Sequence, residues 1–161
     1  MPPSDRVVGS EGYTFVEVAV VSAIIAILAS AILPLAKVTL QRGRELELRR
    51  ELREMRTAID KFKDAADQGK IAPGDLPSNA DGYPPTLQVL VNGVAVANDT
   101  TGARLRFLRR IPVDPMTHST DWGMRSSRDE ANSTAWGGQN VFDVYSTYQG
   151  RALDGTKYND W

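Results

Sequence analysis

From Val18 to Leu33 the chain reads VAVVSAIIAILASAIL, interrupted only by Ser22 and Ser30, and the apolar character extends back through Tyr13, Phe15 and Val16 and on to Leu35 and Ala36. Twenty-odd helical residues span about 30 Å, the thickness of a bilayer core. The run is apolar all round rather than along one stripe, so it has to be buried on every side, by lipid or by other helices. A cleaved secretory signal peptide fits less well, because the block is long, no small-residue cleavage site follows it, and it continues into a charged helical pattern. The spacing predicts a membrane-spanning or helix-packed segment over 13–36.

The same helical pattern continues from Lys37 to Ala66 with a different face. Leu48, Leu52, Met55, Ile59, Phe62 and Ala66 are spaced alternately four and three apart and make a single apolar stripe. Opposite charges at helical spacing, Glu45 with Arg49, Arg50 with Glu54 and Arg56 with Asp60, are expected to support this half by a few tenths of a kcal/mol each, roughly 0.2 to 0.5. The stripe is too short for a free-standing coiled coil and is expected to pack on the domain that follows. A straight helix from Thr14 to Ala66 would be about 80 Å long.

Beyond it, Asp67 to Pro85 is rich in Gly, Pro, Asp and Asn and reads as a loop. Pro85 to Val91, with proline at its start and Gly93 after its end, predicts a short helix. Leu105, Phe107, Leu108 and Ile111 supply apolar anchors, and the β-branched and aromatic stretch Val141 to Ser146 predicts a strand, with Asp121 to Ser126 as its partner. The expected fold is α+β: a long N-terminal helix, half membrane-spanning and half amphipathic, packed on a small head with an antiparallel sheet over 67–161. A head of this size buries only about 60 to 65 per cent of its unfolded surface and is marginal without the helical stripe.

Composition narrows the chemistry. The 161 residues include one His, His118, and no Cys, with 19 Lys plus Arg against 20 Asp plus Glu. Disulfides, thiol nucleophiles, iron-sulfur clusters and thiolate zinc sites are excluded, and one histidine cannot supply the usual pair of ligands. A net charge of -1 offers no global field for nucleic acid. Arg104, Arg106, Arg109 and Arg110 form the dense basic cluster of the head, but acidic residues outnumber basic ones from Asp67 onward, so a solvated or subunit-pairing face is expected there and no nucleic-acid partner. Trp122, Trp136 and Trp161 are expected as core anchors rather than a carbohydrate platform. Ser126 and Ser146 have no base nearby in the sequence other than His118, and no nucleophile elbow is present, so no catalytic residue is expected and the chain does not read as an enzyme.

Three residues make the apolar run unusual for a plain anchor. Glu17 is a carboxylate among Phe15, Val16 and Val18, worth about 3 kcal/mol of penalty at membrane depth. Pro34 removes a backbone hydrogen bond and predicts a kink or local melting. Gly12 stands directly before the aromatic start. Gly12-Tyr13-Thr14-Phe15-Val16-Glu17, an apolar helix and Pro34 together resemble the N-terminal signature of type IV pilins and type II secretion pseudopilins. The resemblance implies that Met1 to Gly12 is a leader, that a prepilin peptidase cuts after Gly12 and methylates the new amino terminus at Tyr13, and that Glu17 and Pro34 serve filament assembly. Family leaders usually end with basic residues and the mature chain with Phe at its start, whereas Ser10-Glu11 and Tyr13 occupy those places here.

Physics gives the pattern a reason. Cleavage frees an α-amino group four residues from Glu17, and opposite charges about 4 Å apart attract by ~4 kcal/mol at an effective dielectric near 20. Pairing between subunits would also set axial register. Ser22, Ala26 and Ser30, and Ala19 with Ala23, place small residues along faces that permit close helix approach.

The head is similar to that of the major, G-type pseudopilin in its Tyr83-Pro84 turn, its Leu108 to Pro115 segment and its Phe142 to Trp161 tail. That resemblance implies a pilin-like fold and a structural subunit of a type II secretion pseudopilus, whose periplasmic filament drives protein export across the outer membrane. The partners it implies are further copies of the chain, other pseudopilins, prepilin peptidase, inner-membrane platform proteins with an assembly ATPase, and membrane lipid. It also implies a single-pass inner-membrane location with a periplasmic head, although Lys37, Arg42, Arg44, Arg49 and Arg50 follow the run and a positive-inside count alone points the other way. Calcium is the cofactor it implies, through Asp154, Asn159 and Asp160 with backbone carbonyls, hard oxygens in a turn-rich loop. The alternatives are a type IV pilin for adhesion, motility or DNA uptake, and a single-span anchored binding module.

Overall fold

The structure, a computed structural model, describes residues 12–78 and 80–161, with the side chains of 31–35 outside the description. The expected leader residues Met1 to Glu11 lie outside the described residues; at position 34 the helical backbone runs on without the local melting expected there, and the side chain is outside the description. The chain falls into two compact units, the first ending at Leu40 and the second running from Gln41 to Trp161. Helix α1, Phe15–Asp67, contributes to both. The other elements are α2 (Leu87–Asn92), β1 (Val94–Ala95), β2 (Arg104–Leu105), β3 (Gly123–Arg125) and β4 (Asp143–Tyr145), with 3-10 turns at Pro73–Asp75 and Tyr158–Asp160.

In the first unit every described side chain from Tyr13 to Ser30 is exposed, Phe15 at 88 % and Ile27 at 69 %. Among the described residues no helix is long and apolar enough to cross a membrane. The described apolar part of α1, Phe15 to Ser30, spans about 24 Å, short of the ~30 Å of a bilayer core, and the rest of the run falls on 31–35.

The second unit holds the core. Leu48, Leu52, Met55, Ile59 and Phe62 are at most 2 % exposed, joined by Ala58 and Ala65, while Ala66 is partly buried at the edge of the stripe. Against them lie Leu87 and Leu90 of α2, Val94, Leu108, Trp122, Val141, Val144 and Tyr158, and the Phe62 and Phe107 rings meet at 5.2 Å between centroids. Each large side chain so buried is worth about 1.5–3 kcal/mol, so the stripe is a large part of what holds the unit together. A Schellman motif ends α1: Gly69, at φ 64, donates to Ala66 O and Lys70 to Ala65 O.

The short helix expected from Pro85 starts two residues later, at Leu87, with Thr86 at its N-cap and Gly93, φ 77, at its C-cap. A Cβ at Gly93 would lie 2.6 Å from Leu105 O, so both backbone conformation and space demand glycine. The predicted strand pair forms: β3 and β4 run antiparallel with Gly123 opposite Tyr145 and Arg125 opposite Asp143. A second two-stranded sheet, β1 with β2, pairs Val94 with Leu105.

The ion pairs expected along α1 are replaced by others. Arg56 does not hold Asp60; its Nε lies 2.7 Å from Asp143 Oδ1, and it also donates to Val144 O and Trp161 O. Arg49 faces Asp154 at 3.6 Å and stacks over the Trp161 ring at 3.9 Å, leaving Glu45 to accept from the Tyr158 hydroxyl at 2.8 Å. Arg50 turns to Glu47 and Glu51 rather than Glu54. Exposed neighbours on a helix gain little from pairing, so Arg56 goes instead to the partly desolvated Asp143 carboxylate of the head.

Candidate functional site

The N-terminal signature forms a defined helix start. Thr14 precedes the first helical residue, its Oγ1 accepts from the Glu17 N–H at 3.3 Å, and its carbonyl accepts from Val18 N at 3.1 Å. Thr14 is thereby the N-cap, and Thr14-Phe15-Val16-Glu17 has the spacing of a capping box. Glu17 lies in the first turn, where a carboxylate meets the positive end of the helix dipole. The Thr-x-x-Glu spacing adds a capping role to the charge pairing expected of Glu17.

Gly12 and Tyr13 lie outside the helix and are exposed, Tyr13 at 81 %, and nothing lies within 4 Å of the space a Gly12 side chain would take. An exposed, non-helical peptide bond is what a protease requires. The Gly12–Tyr13 bond has that character, and the capped helix begins two residues later.

In the head, Asp143 receives two guanidiniums, Arg56 at 2.7 Å and Arg125 at 3.3 Å. Arg125, 5 % exposed, also donates to Ser133 O and Asn159 O and lies over the Tyr145 ring at 4.1 Å. One carboxylate thus joins α1, β3, β4 and the tail turn. Tyr158 is fully buried, with its hydroxyl between Glu45 and Gln41, and burial foremost, then the Glu45 carboxylate, pushes its phenol up to about 12.

The tail loop proposed for calcium is occupied by internal bonds. Asp154 Oδ1 accepts from the Thr156 hydroxyl at 2.6 Å and its N–H at 2.9 Å, and these contacts, followed by the Arg49 charge, hold the carboxyl below the usual range. Asn159 offers its carbonyl to Arg125, and among the described residues no group of three or more His, Asp or Glu is placed to hold a metal. Of the three residues, Asp154 Oδ1 and the Asn159 backbone carbonyl thus already serve internal hydrogen bonds.

Of the basic cluster, Arg104 is engaged by Asn92 O and Gly93 O. Arg109 and Arg110 border a depression shared with Glu47, Glu51 and Glu54, so the surface is of mixed sign. His118 is exposed, while Ser146 is buried and donates to Asp114 Oδ2 at 2.5 Å. Trp122 is a core residue whose indole donates to Pro112 O. Trp136 departs from expectation: it is 37 % exposed and ties its own loop by donating to Asn140 O.

Comparison with known proteins yields no relative: no family model, no curated protein and no solved structure matches the chain.

Proposed function

We propose that the chain is a pilin-like filament subunit of the secretion type, cut between Gly12 and Tyr13, anchored in the inner membrane by the first half of α1, and assembled with further copies so that a periplasmic filament drives protein export. The observation that carries this reading is the helix start. An exposed, non-helical Gly12–Tyr13 bond stands immediately before a capped helix with Glu17 in its first turn, and that helix continues as a rod exposed and apolar on every side. Large aliphatic side chains left in water forfeit about 1.5–3 kcal/mol each. Lipid before assembly and neighbouring helices after it would both cover such a surface, and the amine freed at Tyr13 would neutralise a Glu17 carboxylate in either setting.

Intact-mass spectrometry of the membrane-extracted protein tests the cleavage. The expected chain starts at a methylated Tyr13; one starting at Met1 overturns the reading. Glu17→Ala should lower recovery in sheared filaments more than tenfold while leaving the amount of processed, membrane-bound protein unchanged. Retained filament incorporation would favour a solitary membrane-anchored module instead.

A further inference from the structure

Two stretches of the head place an asparagine two residues ahead of a hydroxyl, Asn98-Asp99-Thr100 and Asn132-Ser133-Thr134. That spacing, with no proline between, is the acceptor pattern for N-linked glycosylation, which adds a bulky, solubilising group at a surface loop. The pattern alone is common, so the fold has to separate an acceptor from a coincidence.

The two stretches differ in how they are held. Asn98 stands in the β1–β2 connection in the left-handed region, φ 59, and its neighbours are fastened: Val96 bridges Ile71, Ala97 N donates to Lys70 O, and Asp99 accepts from the Thr101 hydroxyl and from Ala103 N. An enzyme drawing this stretch into its own site would have to break those bonds. Asn132 lies in the β3–β4 loop and does not share the left-handed backbone of Asn98. Asp129 Oδ2 closes the base of that loop, accepting from Ser126 N at 2.7 Å and Gly137 N at 3.0 Å, and Ser133 N donates to Glu130 O across a turn. From the inner side Arg125 Nε donates to Ser133 O, and the Tyr145 hydroxyl to Thr134 O. These contacts hold the backbone and leave the side chains of Asn132 and Thr134 exposed, with no hydrogen-bond partner among the described residues. Glu130, also exposed, sets a carboxylate two residues ahead of Asn132, a charge that an arginine in an acceptor-binding site can grip.

We propose that Asn132 is the acceptor of an N-linked glycan, transferred from a lipid-pyrophosphate-linked oligosaccharide on the periplasmic side of the membrane. The Asn132 amide nitrogen bonds to the anomeric carbon of the first sugar as the bond from that carbon to the phosphate oxygen breaks. The lipid pyrophosphate leaves with the electron pair, and one amide proton passes to a base of the transferase and on to solvent. Thr134 supplies the hydroxyl that the transferase reads beside the amide. The folded head accepts the product without loss, because the Asn132 amide gives up no internal bond. The inference rests on the periplasmic head proposed above.

The test reads the full chain, extracted from native membranes, by intact mass and by peptide mass spectrometry that locates any added group. The expected result is an excess of whole sugar residues on the peptide that holds Asn132. Asn132→Gln and Thr134→Ala should lose it completely, Thr134→Ser should keep it at lower occupancy, and Asn98→Gln should keep it in full. Sidedness is read separately: the chain has no Cys, so Thr100→Cys provides a single exposed thiol that a membrane-impermeant maleimide labels in intact spheroplasts when the head is periplasmic. No added mass on a head labelled from outside overturns the acceptor alone. No added mass with labelling only after lysis overturns it together with the periplasmic placement. Sugar that persists in Asn132→Gln, or sits on Asn98 instead, also overturns it.

Discussion

One helix serves two surroundings. From Phe15 to Ser30 it is exposed on every side with apolar residues, and from Leu48 to Phe62 it hides one stripe completely while the opposite face carries charge. Both stretches have the same backbone, so helix formation is not what distinguishes them. What differs is where the apolar side chains are placed around the axis: a stripe is satisfied by the chain's own head, whereas an all-round coat can only be satisfied by something outside the chain. Secondary structure in this protein is local, but burial is assigned by periodicity.

The sharpest way to break that comparison is to truncate one large side chain in each half. Phe62→Ala, at a fully buried ring, should cost about 3–5 kcal/mol in urea unfolding followed by tryptophan fluorescence. Leu28→Ala, 62 % exposed, should leave the same transition within about 0.5 kcal/mol. Equal losses would mean that the first half is not independent of the head's core.

A smaller effect is expected where the second half meets the head through charge. Asp143→Ala leaves the buried Arg125 guanidinium with carbonyls only and frees Arg56, and should cost about 3 kcal/mol in the same assay. If the variant unfolds at the native urea concentration, packing alone holds the tail to α1.

The smallest effect is a pH dependence. Tyr158 titrates near 10 when unfolded and at about 12 in the folded chain. The fold therefore favours the neutral phenol: its contribution is complete below pH 10 and is lost as pH rises through 12. Native chain and Tyr158→Phe, compared by denaturation at pH 9 and pH 12, should converge at the alkaline end. A constant difference between them would contradict this assignment.

How legible all this was in the sequence depended on how local the deciding interaction is. The stripe from Leu48 to Phe62 and the β4 strand could be read because periodicity and β-branched composition act within a few residues. The β1–β2 pair could not: Val94-Ala95 and Arg104-Leu105 are too short to carry a pattern and are held by Gly93 packing against Leu105. Helical spacing points Arg56 to Asp60, while its acceptor in the fold, Asp143, is 87 positions away.

The bond between Tyr158 and Glu45 crosses 113 positions. On a growing polypeptide the head cannot close its centre until residue 158 has emerged from the ribosome, by which time the oily leading segment has been outside throughout most of synthesis. The apolar first half of α1 is therefore made well before the head behind it can complete its fold.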